Sequence, residues 1–337
     1  MDRVCRCLVA LALLSAYALA APRALAEDFY HGKTLTIIVG FATGGGVDTG
    51  ARTIARHLVR FLPGQPAVVI RNMEGAAGVI AANHLASRVE SDGLTLAVPG
   101  RGWFLEAIMK TPNVIFEPNK LSYIGSGGPT NTAMWVRPDT GIATFDDLKA
   151  GRGKLVFGSL GPGTNTGLVP AMLAGHGLPV RVVFGYGSTA RILLAIEQNE
   201  VNAIFTPDDT FALRQHLIEN KVVIPLVQTR PILRGIPLLR DVLPPSDRPM
   251  LELVVAAESF GLMLVGPSGI PPDRLEILRK AFLAMAADKE YQADAAKIAL
   301  STGTVLDGTT LATMMQDLTN VATPEVIAAF KRLRGDK

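Results

Sequence analysis

Ile37-Ile38-Val39-Gly40-Phe41-Ala42-Thr43-Gly44-Gly45-Gly46-Val47-Asp48 reads as a buried strand running into a glycine turn and then into a helix. The helix is amphipathic: Val47, Ala51, Ile54, Ala55, Leu58, Val59 and Leu62 recur at helical spacing until Pro63-Gly64 stops them. A strand-to-helix junction of this kind leaves backbone N–H groups at the helix start without intrahelical partners, aimed at whatever lies in front. An anion fits there, as a phosphate, a reacting substrate or a ligand that is only held.

Outward from that junction the pattern repeats. Strand character falls on residues 34–41, 67–71, 94–98, 132–137, 154–158, 181–184, 201–205, 222–227 and 260–265. Several of these runs are nearly all apolar, as parallel strands covered on both faces are. Helical patterns lie between them, roughly over 76–90, after Gly163, over 188–199, and from Pro271-Pro272 onward. The alternation predicts an α/β fold with mostly parallel sheets. Glycine-rich junctions recur at 44–46, 75–78, 161–167 and 185–187. Two lie in the first third and two in the middle, which suits two α/β domains facing each other across a cleft, with ligand at the carboxyl ends of the strands. The proline-rich stretch 231–249 reads as a long surface connection.

The ends and the composition exclude several classes. Arg3 and Arg6, the apolar run 8–21 and Ala24-Leu25-Ala26 read as a secretory signal peptide over residues 1–26 with a mature start at Glu27, the alternative being an uncleaved N-terminal anchor. Both cysteines, Cys5 and Cys7, lie inside it, so an exported mature chain has no disulfide and relies on its core. Beyond residue 26 there are 30 basic and 29 acidic residues, a formal charge of +1. With no basic run and no aromatic–basic stripe, the electrostatic footprint of a nucleic-acid binder is missing.

Enzyme and cofactor motifs fail one by one. Gly44-Gly45-Gly46 does not fit G-x-G-x-x-G, and Gly161-Pro162-Gly163-Thr164-Asn165-Thr166-Gly167 is one residue too long for it. Neither a P-loop nor the G-x-S-x-G elbow occurs. None of the five histidines, His31, His57, His84, His176 and His216, has metal-ligand spacing. The sequence therefore names no cofactor, no metal and no catalytic set. Asp208-Asp209 after Pro207 either faces the cleft or caps a helix beginning near Thr210. What remains is a set of anion-friendly helix starts, and four of them favour ligand binding over mere turn formation.

In order along the chain, the motifs resemble those of the periplasmic solute-binding receptors of tripartite tricarboxylate transporters, the Bug receptor family. The family's P-F-A-P-G-G-x-x-D is similar to Gly40-Phe41-Ala42-Thr43-Gly44-Gly45-Gly46-Val47-Asp48, followed by Ala51-Arg52. Its N-R-P-G-A-G-G resembles Asn72-Met73-Glu74-Gly75-Ala76-Ala77-Gly78, and its P-D-G-Y-T resembles Ser91-Asp92-Gly93-Leu94-Thr95. Lys154 to Ser159 with Gly163-Thr164, then Phe260-Gly261-Leu262 and Pro267-Ser268-Gly269-Ile270-Pro271, continue the likeness over essentially the whole mature chain.

The resemblance implies a type II periplasmic-binding-protein fold, α/β, with two doubly wound domains and a ligand cleft between them. It implies residues 27–127 plus 257–337 as domain 1 and 128–256 as domain 2. It further implies a monomer in the periplasm that holds a small carboxylated molecule and hands it to membrane transporter subunits. An exported enzyme on the same fold, or a sensory receptor docking on a membrane signalling protein, are the alternatives. Carried over by position, the ligand-binding candidates are Phe41, Ala42, Thr43, Gly44, Gly45 and Asp48 in the first loop, and Ser159, Gly163, Thr164, Asn165, Gly187 and Ser188 in domain 2.

The departures from the family pattern bear on specificity. Gly40 and Thr43 replace prolines, and the Thr43 hydroxyl either donates to a carboxylate or caps the helix. Met73 and Glu74 stand where the family has Arg and Pro, and Tyr186 sits one position late with no lysine beside Gly187-Ser188. Thr206-Pro207-Asp208-Asp209 differs from the usual strand-end aspartate, which leaves Asp208 a candidate. In Pro99-Gly100-Arg101-Gly102-Trp103, Arg101 either pairs a distal acidic group or lies at the surface, and Trp103 either forms a ligand wall or joins the core.

Overall fold

The computed structural model describes residues 29–211 and 214–334. The expected signal peptide and its cleavage point lie outside the described residues. Eleven strands are present among them: β1 (Thr34–Val39), β2 (Ala67–Asn72), β3 (Thr95–Val98), β4 (Ser122–Ser126), β5 (Thr132–Val136), β6 (Leu155–Gly158), β7 (Val180–Val183), β8 (Ala203–Pro207), β9 (Ile224–Gln228), β10 (Met263–Gly266) and β11 (Leu306–Asp307). They form a six-stranded sheet in the order β11-β4-β10-β3-β1-β2 and a five-stranded sheet in the order β7-β6-β8-β5-β9. The chain passes from the first sheet to the second after β4 and returns after β9, so two crossovers join two α/β lobes. Lobe 1 holds the six-stranded sheet and lobe 2 the five-stranded one.

All nine expected strands form, with ends shifted by a few residues, but the sheets are mixed rather than mostly parallel. β1 pairs β2 and β3 in parallel, and β6 pairs β7 and β8 in parallel. β10 runs antiparallel to β3 and β4, and β5 antiparallel to β8 and β9. The antiparallel members β5 and β10 are the strands that carry the chain between lobes. Their apolar runs look like those of a parallel strand because they too are covered on both faces.

β4 escaped the sequence reading because Ser-Tyr-Ile-Gly-Ser has neither an apolar run nor alternation. It is nonetheless buried throughout, and its polar groups are matched one by one. Ser122 Oγ donates to Pro267 O (2.8 Å), Tyr123 OH to Pro118 O (2.9 Å) and Ser126 Oγ to Phe260 O (2.6 Å). The 231–249 stretch is also more ordered than a surface connection. Gln228 bridges Leu238 in parallel, a short helix spans Leu239–Val242, and Leu239 is fully buried.

Strand register sets the site. β1 pairs Val39 with Asn72 of β2 and with Val98 of β3, so three strands end level at one edge. Gly40-Phe41, Met73-Glu74 and Pro99-Gly100-Arg101 all leave the sheet there. In lobe 2, Gly158 lies level with Val183, and the loops after β6 and β7 emerge together. Ala51, Ile54 and Leu58 of the Gly46–Leu58 helix are buried against the sheet in a cluster that contains Leu262, Phe282 and Met285. That burial fixes the angle at which the first glycine loop enters the cleft. Phe282 is fully buried there, against Gly125 of β4. Phe282→Ala is expected to destabilise lobe 1 by about 3–5 kcal/mol in a denaturant titration, through the lost transfer energy and the cavity left behind.

Candidate functional site

The two lobes are closed on one another. Ala42 N donates across the cleft to Gly187 O (3.2 Å), and Gly46 N to Thr189 Oγ1 (3.5 Å). Between the lobes lies a cavity of about 60 Å³. Phe41, Val47 and Arg101 line it from lobe 1, and Thr164, Asn165, Thr166, Phe205, Thr206 and Thr210 are among the residues lining it from lobe 2.

The first loop is held from within. Asp48, in the first turn of the Gly46–Leu58 helix, is buried. Its Oδ2 accepts from Gly44 N and Arg52 Nε, both at 2.9 Å, and its Oδ1 from Asn72 Nδ2 at 2.8 Å. Asn72 Nδ2 also reaches Phe41 O (2.8 Å), and Asn72 Oδ1 accepts from Arg52 Nη2 (3.0 Å) and the Thr43 hydroxyl (3.3 Å). Burial pushes the Asp48 carboxyl up, but the hydrogen bonds from Arg52, Asn72 and Gly44 outweigh it and hold the group below the usual carboxylate range. Asp48 thus closes the turn on itself and engages the Gly44 N–H. Thr43 lies with Ala42, Glu74, Ser188 and Arg191 in a separate, more open cleft at the lobe edge.

Lobe 2 repeats this economy. Ser159 Oγ donates to Gly161 O (3.2 Å), accepts from Gly161 N (3.2 Å) and lies 3.1 Å from Thr166 Oγ1. Thr164 Oγ1 donates to Gly161 O (2.7 Å), and Leu160 N donates to Thr166 Oγ1 (3.0 Å). Ser188 caps the Thr189–Glu197 helix, accepting from Arg191 N at 3.4 Å.

Two carboxylates from lobe 1 sit against the helix starts of lobe 2. A Cβ at Gly163, next to the Thr164 cap of the Asn165–Gly175 helix, would fall inside the Glu106 carboxylate. A Cβ at Gly187, next to the Ser188 cap, would come within 2.6 Å of Glu74 Oε2. Only glycine allows such approach. The positive end of each helix favours the negative charge placed on it.

Asn165 joins the site to the crossovers. Its Nδ2 donates to Oε1 of the fully buried Glu258 (3.1 Å), whose Oε2 accepts from the Thr229 hydroxyl (2.5 Å). Thr130 N donates to Glu258 O (3.2 Å), and Thr229 N to Thr132 O (2.9 Å). Glu258 therefore stands where both crossovers pass. Burial pushes its carboxyl up to about 7, against the opposing hydrogen bond from Thr229 and the charges of Arg101 and Arg230.

Of the candidates suggested by sequence, the fold brings Phe41, Arg101, Thr164 and Asn165 to the cavity. Ala42, Thr43 and Ser188 lie at the outer cleft, and Asp48 and Ser159 are engaged inside their own loops. Asp208 begins a short turn over Asp208–Phe211, and its side chain is not among those described. Trp103 is fully buried against Phe104 and Phe116, in the core rather than in a ligand wall. Sequence reasoning passed over Thr189, Glu106 and Glu258, and quoted Thr166, Thr206 and Thr210 only as parts of their segments. The one visible signal was Glu258 itself, a lone acid in the apolar Val254-Val255-Ala256-Ala257-Glu258-Ser259-Phe260.

No protein-family model matches the chain. A UPF0065 protein from the gbd 5′ region of Cupriavidus necator is 31% identical over 169 residues. The match takes in 48% of this chain and 50% of that protein, so the chain spans about half the length of the curated relatives it matches. Among solved structures, MatC (Rpa3494) from Rhodopseudomonas palustris with bound malate superposes with a TM-score of 0.69 at 18% identity, over 88% of this chain and 99% of that one. The periplasmic binding protein BugD superposes with a TM-score of 0.65 at 19% identity, over 90% of this chain and 98% of that one. The chain has the fold of the Bug-type periplasmic binding proteins. Within this Bug-type fold, the cavity lies at the carboxyl ends of the strands, where open α/β sheets hold ligands.

Glu258 gives this fold a pH signature. An acid whose folded pKa is raised holds more protons folded than unfolded, so its contribution to stability is greatest below the unfolded value and declines as pH rises to the folded one. Between pH 4.5 and about 7, Glu258 is expected to cost about 3 kcal/mol of stability. Glu258→Gln should remove that decline, measured by urea denaturation across the window. An equally steep decline in the variant would assign it to other groups.

Proposed function

We propose that this protein is a periplasmic receptor that captures a small carboxylated molecule and delivers it to a tripartite tricarboxylate-type membrane transporter. The observation that carries the reading is Arg101, the one basic side chain among the described residues that line the cavity between the lobes. A guanidinium there offers a planar fork that matches a carboxylate. Enclosure strengthens the pair, because charge interactions grow as water is excluded. The malate bound in MatC supports the same ligand chemistry.

In this reading the chain is exported by a signal peptide over residues 1–26, works as a monomer without cofactor, and does no chemistry on its ligand. Residues 27–127 with 257–337 move as one body and residues 128–256 as the other. Phe41, Arg101, Thr164 and Asn165 contact the ligand. Thr43, Gly44, Asp48, Ser159, Gly163, Gly187 and Ser188 shape the two loops and their closure.

A ligand that binds only the folded, closed form raises its stability. A panel of carboxylates screened by thermal unfolding is expected to contain at least one that raises the Tm. Arg101→Ala should abolish that rise and weaken binding by about 2–3 kcal/mol, the usual worth of a charge-assisted hydrogen bond. Undiminished binding in the variant would move the anion site away from Arg101.

A further inference from the structure

The loop after β2 takes a backbone path that suits glycine. Gly75, Ala76, Ala77 and Gly78 have φ of 131°, 46°, 57° and 93°, four positive values in succession. Glycine adopts such angles without strain, whereas a Cβ crowds its own backbone there. Gly78 needs glycine for a second reason, because a Cβ on it would fall 2.0 Å from Pro99 O. Ala77 nonetheless carries a methyl group through the same turn. Strain of this kind persists where the surrounding structure holds it in place, and it clusters at ligand clamps.

The Ala77 methyl stands where two spaces meet. One is the cavity of about 60 Å³ between the lobes, which holds about four to six water-sized groups. The other is a groove of about 490 Å³ along the seam of the lobes, with Ile80 and Val114 on lobe 1 and Pro162 and Phe184 on lobe 2. Ala77 of lobe 1 and Leu160 of lobe 2 are the two described residues that line both. A Cβ built on Gly161 of lobe 2 would lie 3.9 Å from the Ala77 methyl, and among the described residues it would meet nothing else within 4 Å. The Gly161 backbone is one C–C bond further off. A methylene needs about 3.5–4.0 Å to carbon on each side, so none passes between them. Hydrogen bonds hold the lobe 2 side in place, from Leu160 N to Thr166 Oγ1 (3.0 Å) and from Gly161 N to Ser159 Oγ (3.2 Å).

Resting on the receptor reading above, we infer that the Ala77 methyl, set against Leu160 and Gly161, is the end wall of the ligand cavity and fixes the length of acid that the closed protein accepts. The ligand class that follows is a short carboxylate of about three or four carbons, since that is what the enclosed volume holds. The wall is made of one lobe facing the other, so it forms on closure. A longer acid has to thread its chain through the wall or hold the lobes apart. Beyond the wall, Ile80 and Phe184 are 47% and 48% exposed, so a chain that did reach the groove would find apolar surface to cover.

The test is calorimetric titration of the mature chain, stripped of bound ligand, with two series of acids: propionate, butyrate and octanoate, and malonate, succinate and suberate. In a series that binds, a short member is expected to bind at least about tenfold more tightly than the eight-carbon member. Ala77→Gly removes the wall and gives the turn the residue its φ suits, so the variant keeps the fold. It should reduce the preference for the short acid at least about fivefold. Gly161→Ala, added to that variant, sets a methyl on the opposite side of the same gap and should restore most of the preference. A change that acted only on loop stability would not be reversed from the other lobe. Eight-carbon acids that bind the wild type as tightly as short ones overturn the wall and leave the receptor reading standing. A preference unchanged in Ala77→Gly, or not restored in the double variant, overturns the assignment to Ala77. Failure of all six acids, with the protein folded by circular dichroism, overturns both the inference and the carboxylate-receptor reading.

Discussion

The closed cleft depends on carboxylates of one lobe meeting the helix starts of the other. Glu106 lies on Gly163 and Glu74 on Gly187, each just before the cap of a lobe 2 helix. A helix start has N–H groups with no intrahelical partner and a partial positive charge. A carboxylate brought near it is favoured by that partial charge. Because each pairing spans the two lobes, it exists only when they are shut. These contacts lie beside the cavity rather than in its wall.

The same economy runs through the loops. Asp48 turns back on Gly44, Asn72 ties the end of β2 to Phe41 O, and Ser159, Thr164 and Thr166 bond among themselves around Gly161. Each loop is tied by hydrogen bonds of its own, an arrangement that lowers the ordering cost of capture. Glu258 extends this order to the crossovers. It receives Asn165 from the cavity wall and Thr229 from the end of β9. A buried acid in that place couples an amide of the cavity wall to the segments where the chain crosses between the lobes. Proton uptake there is linked to the charge of Arg101.

Glu74 illustrates how a departure from a family motif acquires meaning. Where the family carries proline in its second glycine signature, this chain has a carboxylate that reaches across the cleft. Proline has no charged side chain to reach with, so a cross-lobe contact of this kind arises from the substitution. Thr43, the other conspicuous departure, turns its hydroxyl to Asn72 and stays at the lobe edge. Thr43 was the departure that looked most relevant to ligand choice, yet it is Glu74 that reaches across to the other lobe, while Thr43 bonds within its own lobe.

The alternation of apolar strands and amphipathic helices, and the glycines at their junctions, determined the α/β class and the two-lobed organisation. Those features are local: periodicity and turn chemistry act over a few residues and are legible one segment at a time. The strand β4 was not legible, because its burial rests on serine and tyrosine hydroxyls finding Pro267, Phe260 and Pro118, partners that sequence spacing does not reveal. The mixed strand directions were hidden for the same reason, since β5 and β10 are covered on both faces whichever way they run. The glycine loops were visible as anion-friendly, but not that Asp48, Glu74 and Glu106 already occupy them. That outcome is set by residues from different segments and different lobes meeting in space, so only the tertiary structure decided which loop groups are engaged by the protein itself and which residues, Arg101 among them, come to line the cavity.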